Sequence, residues 1–61
     1  KSITAKIALP AGTILQAQHL ALKKPGIGLP PERLPDVLGR RLTRAVEEDE
    51  QIKESDLEAH P

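Results

Sequence analysis

The chain has 61 residues, enough for one domain with a thin core, and it contains no cysteine, so disulfides and thiolate zinc sites are excluded. Its net charge is zero and aromatic residues are absent, which argues against nucleic-acid binding by a basic, stacking surface. No apolar run approaches the roughly 18 residues that span a membrane, and no signal peptide is present, so we expect a soluble, cytoplasmic protein without membrane partners.

The first third of the chain favours short extended segments joined by tight turns. Apolar and polar residues alternate from residue 3 to residue 9, which predicts a strand with one face on the core. Residues 9–12 (Leu-Pro-Ala-Gly) are typical of a tight turn, after which residues 13–15 resume an extended path. Residues 16–20 are too short for a stable helix and predict a single helical or 3₁₀ turn with Leu20 pointing inward.

A loop rich in proline and glycine follows. Residues 21–24 lead into Pro25, Gly26 and Gly28. Proline removes a donor from a strand ladder and glycine permits positive φ, so we expect an ordered loop at a strand end. Such a loop is a suitable place for a contact residue.

Residues 30–39 predict two single helical turns. Two prolines open the segment, which suits the start of a helix, and Gly39 ends it. Pro35 interrupts the segment in the middle, so no long helix can form.

The remainder predicts two short strands around an acidic turn. Residues 40–46 favour a strand with Leu42 and Val46 inward, and residues 47–50 form the turn before a last short strand around Ile52. The segment Ser-Asp-Leu at 55–57 closes the chain.

A faint internal repeat links the two halves. The order strand, turn, short strand, single helical turn and leucine occurs from Ala5 through Thr13 and Ile14 to Leu20, and again from residue 45 to residue 57 with Gln-Ile at 51–52. Such a duplication predicts a pseudo-two-fold axis with the thin apolar faces buried against each other. The expected core consists of Ile3, Ile7, Ile14, Leu20, Leu22, Leu34, Val37, Leu42, Val46, Ile52 and Leu57.

Groups that could carry chemistry are sparse. His19 and His60 lie far apart and have no neighbouring ligand at metal spacing, so surface positions are expected for both. The carboxylates of residues 47–50 lack the alternating ligands and central glycine of a calcium loop. We therefore predict no catalytic residue, no metal site and no cofactor in this domain.

Four sequence blocks, taken in order, carry a resemblance to a known family. They are residues 9–14 with Leu20, residues 23–28 (Lys-Lys-Pro-Gly-Ile-Gly), residues 38–41 (Leu-Gly-Arg-Arg), and Ile52 with residues 55–57. In this order and spacing they resemble the antifreeze-like, or SAF, domain at the C-terminus of sialic acid synthases, which is related to type III antifreeze proteins. The resemblance covers essentially the whole chain.

The resemblance implies a mostly β architecture, a pretzel-like β-clip fold of short strands and one-turn helices. It also implies that residues 1–61 are a single domain from the C-terminus of a longer enzyme, in keeping with the absence of methionine. In that family a TIM barrel condenses phosphoenolpyruvate with an N-acyl sugar such as N-acetylmannosamine, and the small domain covers the barrel of the dimer partner. The expected role is thus a non-catalytic lid, with the barrel and the sugar as partners and a divalent metal in the barrel.

Lys24 is the site residue to which the resemblance points. The family's lid presents an arginine, within an Arg-Pro-Gly sequence, to the acylamino group of the sugar. Lys24 stands at that place, with Pro25, Gly26 and Gly28 shaping the loop. Lysine offers a compact, hydrated charge instead of a planar fork of donors, so the contact is expected to differ. The alternative interpretation is an ordinary exposed lysine before a turn.

Two other functions stay open. Ice binding by a flat apolar surface, as in the antifreeze proteins, would use positions that include Gln16, Gln18, His19 and Arg41, whose bulk and charge disfavour it. A SAF adaptor of flagellar or pilus assembly, or of a sugar-acid dehydratase, shares the first strand and turn but not residues 23–28.

Overall fold

The computed structural model describes residues 1–60 and is built from short strands, isolated bridges and loops. Strand β1 (Ser2–Ala5) pairs antiparallel with strand β2 (Leu20–Lys23), with Ile3 opposite Leu22. The helical elements are all single turns. They comprise one α-helix, α1 (Leu34–Val37), and three 3₁₀ turns, Ala17–His19, Pro31–Arg33 and Glu54–Asp56. The prediction of short strands with one-turn helices is confirmed.

Strand β1 does not show the alternation that the sequence predicted. All four of its residues are buried, because both faces of the strand are covered and the polar side chains find partners. The Thr4 hydroxyl donates to the Ala21 carbonyl at 3.2 Å. The chain leaves the ladder after Ala5, and Ile7 is 52% exposed, so its prediction as a core residue is wrong.

The predicted strand over residues 40–46 is absent as a continuous strand. The Leu42 N–H donates to Thr13 and the next N–H, of Thr43, donates to Asp56, so successive residues pair with different segments. Isolated bridges therefore replace a ladder. Leu42 and Val46 are nevertheless buried, as predicted.

The segment at 30–39 forms two single turns, as expected. The 3₁₀ turn Pro31–Arg33 runs directly into α1, where Pro35 lies in the first turn and costs no internal hydrogen bond. Gly39 then adopts a φ of +87°, the left-handed conformation in which glycine ends helices without strain.

The core lies between β1 and the irregular segments of the second half. Its members are Ile3, Ala5, Leu9, Leu15, Leu20, Leu29, Val37, Leu42, Val46, Ile52 and Leu57, with Leu34 and Leu38 packed at its edge. Ile14 and Leu22 were predicted inside but are more than two-fifths exposed. For Ile14 the reason is register: Leu15, whose N–H bonds Arg40, points inward, and a shift of one residue turns an extended chain over.

Candidate functional site

The loop of residues 24–28 projects from the end of β2. Lys24, Pro25, Gly26 and Ile27 are all exposed, and Ile27 reaches 82%. The chain returns to the interior at Leu29, whose carbonyl accepts from the Ile3 N–H at 3.0 Å. The Lys24–Pro25 peptide bond is cis. The loop thus presents one cation and one large apolar side chain to the surroundings.

A buried serine fastens this loop at two points. Ser2 has no exposed surface, and its hydroxyl donates to the Pro25 carbonyl at 2.7 Å while it accepts from the Gly28 N–H at 2.9 Å. The Gln51 side-chain amide also donates to the Pro25 carbonyl, at 3.3 Å. The loop is therefore held to β1 and to the chain segment that faces it.

The two loop glycines lie close to neighbouring groups and do not adopt the positive φ that the sequence suggested. Positive φ occurs at Gly12 and Gly39 among the glycines, and not at Gly26 or Gly28. A Cβ at Gly26 would lie 2.9 Å from the backbone nitrogen of Lys1, and one at Gly28 would lie 2.8 Å from the Gln51 side-chain oxygen. The atom near Gly26 belongs to the backbone, so the chain packs closely there only because the side chain is absent, whereas at Gly28 the end of the Gln51 side chain would have to move.

The two neighbouring lysines have different surroundings. Lys23 forms an ion pair with Asp49, and the hydrogen bond that its ammonium donates to this carboxylate raises the pKa of Lys23. Within the described residues 1–60, Lys24 forms no ion pair and donates no side-chain hydrogen bond, and it is exposed. The structure therefore leaves the Lys24 ammonium available to a group outside the domain.

The two histidines bond to different partners. The Nδ1 atom of His19 accepts from the Gln16 N–H at 3.0 Å, and Nε2 of His60 lies 2.8 Å from Asp36. Over residues 1–60, no three side chains of His, Cys, Asp or Glu come together as metal ligands would.

The acidic turn also has internal partners. Glu50 bonds Arg44 at 2.6 Å and accepts from the Glu47 N–H at 2.8 Å, and both contacts lower the pKa of Glu50. Asp49 pairs with Lys23 and has a φ of 68°. The carboxylates of Asp49 and Glu50 therefore have partners within this domain.

A charged cluster that the sequence analysis missed ties α1 to the end of the chain. Arg40 is 6% exposed and bonds Asp36 at 3.1 Å, Glu54 at 2.8 Å and the Glu58 carbonyl at 3.0 Å. Arg33 bonds the same two carboxylates, each at 2.6 Å. The spacing of Asp36 from the two arginines, three and four residues, was visible in the sequence, but the partnership with Glu54 depends on the fold.

A shallow surface cavity of about 310 Å³ lies elsewhere, lined by Ile14, Gly39, Arg41, Glu58 and Ala59. It shares no lining residue with the loop of residues 24–28. No helix in the described part of the chain is both long and apolar enough for a membrane span. Within residues 1–60, the loop therefore places an unpaired cation on a fastened backbone, an arrangement suited to a binding contact.

Comparison with known proteins adds a family relationship. The family model of the SAF domain matches residues 1–58. N-acetylneuraminate-9-phosphate synthase from Mus musculus is 37% identical over 62 residues, and that from Homo sapiens is 39% identical over 62 residues. Each alignment covers 98% of this chain but only 17% of the synthase.

A solved structure shows the same similarity in three dimensions. It is the solution structure of an antifreeze protein like domain in the human N-acetylneuraminic acid phosphate synthase gene. It matches with a TM-score of 0.92 and 37% sequence identity, over 97% of this chain and 76% of the other. The similarity therefore extends over nearly the whole backbone.

Proposed function

The chain belongs to the SAF domain family and has the fold of an antifreeze-like domain, and from this we propose that it is the non-catalytic lid of a sialic-acid-synthase-like enzyme. The parent enzyme would condense phosphoenolpyruvate with N-acetylmannosamine or a related N-acyl sugar. Because the chain spans 17% of the synthases it resembles, the catalytic barrel would lie in another part of a longer protein.

The observation that carries this proposal is the state of Lys24. Its ammonium is exposed and has no partner within residues 1–60, whereas the backbone on its C-terminal side is fastened through Pro25 and Gly28. Because the backbone is already held, a ligand that meets Lys24 has to order its side chain but not the loop. We propose that Lys24 donates to the acyl group of the sugar, with Pro25, Gly26 and Gly28 shaping the approach.

The barrel and the location of the protein complete the proposal. We propose that the lid covers the barrel of the dimer partner in the cytoplasm, limits access of water, and helps to orient the sugar. The divalent metal and the catalytic groups would belong to the barrel. Nucleic acid and membrane have no part in this function.

Kinetics of Lys24 variants in the full-length enzyme test the proposal. A hydrogen bond from a charged group contributes about 1.5–3 kcal/mol, so Lys24→Ala should raise the KM for the sugar by roughly tenfold or more. The KM for phosphoenolpyruvate should stay within about twofold, because the contact proposed for Lys24 is with the sugar. Lys24→Arg should retain sugar binding, since arginine also donates.

Lys6 offers the matched control. It is an exposed lysine outside the loop, and its backbone N–H donates to the His19 carbonyl. Lys6→Ala should leave both KM values unchanged. An unchanged KM for the sugar in Lys24→Ala would contradict the proposed contact.

We also propose a pretzel-like chain path with internal pseudo-two-fold symmetry. It is supported by backbone hydrogen bonds of the first half that reappear in the second half between residues whose numbers are shifted by 37. Leu9 and Val46 exchange two backbone bonds of 2.9 Å, as a pair on such an axis would. Corresponding bonds run from the Ala5 N–H to Glu50 and from the Leu42 N–H to Thr13. This register matches Leu15 with Ile52, one residue away from the pairing that the sequence suggested.

A further inference from the structure

We infer that Ser2 is a positioning residue, whose hydroxyl holds the loop of residues 24–28 and thereby sets the direction in which Lys24 points. The part of this inference that concerns a substrate rests on the proposed function. The part that concerns the loop rests on hydrogen bonds within this chain alone.

The hydroxyl of Ser2 is used as both donor and acceptor. It donates to Pro25, next to Lys24, and accepts from Gly28, so it spans the tip of the loop. A serine hydroxyl has one hydrogen to donate and lone pairs to accept with, and two polar backbone groups of the loop depend on it. Without the hydroxyl the Gly28 N–H loses its partner, and Pro25 keeps only the longer bond from Gln51.

The support beneath the loop is rigid. Ser2 is the first residue of β1, opposite Lys23 in the ladder, and it is fully buried. The next residue, Ile3, bonds Leu29, where the loop re-enters the core. The hydroxyl therefore links the loop to a strand that cannot shift without breaking the sheet.

The site also fits serine by size. The Ser2 hydroxyl contacts the loop at 2.7 and 2.9 Å, and a Cβ added to Gly28 would come within van der Waals distance of the Ser2 Cβ, 3.5 Å. A longer side chain at position 2 would push the loop outward, and alanine would leave the loop without its bonds. Serine supplies the bonds within the space available.

Thr4 provides a matched control on the same strand. Two residues further along β1, it is 2% exposed, and its hydroxyl bonds Ala21 in the ladder and not the loop. Thr4→Val removes that hydroxyl without changing the shape of the side chain. Both Ser2→Ala and Thr4→Val delete one buried hydroxyl of β1, but only the first touches the loop.

The first test measures the loop in the 61-residue chain by NMR. In Ser2→Ala the Gly28 amide should exchange with solvent about fivefold faster relative to the Ile52 amide, because a buried hydrogen bond of about 1 kcal/mol is lost. The heteronuclear NOE at residues 26–28 should also fall. Thr4→Val should change neither measurement, apart from a uniform change in stability. Wild-type exchange and NOE values for the loop in Ser2→Ala would overturn the inference.

The second test measures substrate use by the full-length enzyme. Ser2→Ala should raise the KM for the sugar by roughly three- to tenfold with kcat within about twofold, whereas Thr4→Val should leave the KM unchanged. If Lys24→Ala raises this KM but Ser2→Ala does not, Ser2 does not position Lys24 and the inference fails. If Lys24→Ala has no effect, the proposed contact between Lys24 and the sugar fails, and the NMR result alone decides the role of Ser2.

Discussion

At the scale of single residues, Asp36 shows how this small chain compensates for its thin core. Its carboxylate accepts from Arg33 at 2.6 Å, from Arg40 at 3.1 Å and from His60 at 2.8 Å. The bonds from Arg33 and His60 lower the pKa of Asp36 from its ordinary value of 3.8 to about 2. One side chain thus connects α1 with the end of the chain.

We expect the domain to lose stability in acid between about pH 4 and pH 2. Because the folded-state pKa of Asp36 lies below that of a free aspartate, the unfolded chain takes up the proton first as the pH falls. The pKa values of Glu50 and Glu54 are also lowered by arginines, so they act in the same direction. Urea denaturation at a series of pH values measures the effect.

The variant Asp36→Asn provides the comparison for this pH profile. It should be less stable than the wild type at pH 6, and its stability should fall less steeply between pH 4 and pH 2. Identical pH profiles for the two proteins would show that the contacts of Asp36 do not depend on its charge.

Residue burial could be predicted only in part. Ile3, Val37 and Ile52 were correctly placed inside, because any arrangement of these segments needs their apolar surface. Ile7 and Ile14 were predicted inside but are about half exposed. Hydrophobicity alone does not show where a chain leaves a ladder or which of two adjacent apolar residues turns inward. Leu15 and Ile14 are both large apolar residues, and it is Leu15 whose backbone bonds to Gly39 and Arg40.

At the scale of elements, single turns and bridges depend on the segments around them. A helical turn of three or four residues does not form alone, because nucleation is unfavourable. The turns at 31–37 could be predicted, since prolines and Gly39 mark their limits in the sequence. The absence of a continuous strand at 40–46 could not be predicted, because the hydrogen-bond partners of these residues change from one residue to the next and lie far away in the chain.

The contact between the segment around Ile52 and β1 should contribute measurably to the free energy of unfolding. Ile52 is fully buried, and its N–H bonds Ile3 at 3.1 Å. Ile52→Val should lower the free energy of unfolding by about 0.5–1.5 kcal/mol, as expected for one buried methylene group. Ile7→Val, the same change at a half-exposed position, should stay within about 0.5 kcal/mol. Denaturant titrations measure both, and equal losses would contradict the burial described here.

At the scale of the whole molecule, folding brings together two chain regions of opposite charge. Residues 1–46 contain eight basic and two acidic residues, and residues 47–61 contain one basic and seven acidic residues. Basic side chains of the first region, including Arg44, pair with carboxylates of the second, including Glu50 and Asp56. Much of the charge of the two regions is therefore paired.

Lys24 remains outside this pairing, and it was the residue to which the sequence pointed. Its identification depended on a family resemblance, which now has the support of the family match and of the solved structure. Its support by Ser2 could not be predicted, because the two bonds join residues 23 and 26 positions apart. A serine within a predicted strand does not by itself indicate that its hydroxyl bonds a distant loop.

The central claim is that the loop of residues 24–28 faces the substrate-bearing barrel of a partner protomer, and photocrosslinking in the full-length enzyme tests it most directly. A photoreactive leucine analogue at Ile27, which is 82% exposed, should crosslink to the mouth of the partner's barrel. The same group at Glu48, exposed in the acidic turn, should give little product. Equal yields at the two positions, or crosslinks from Ile27 only within its own 61 residues, would contradict the claim.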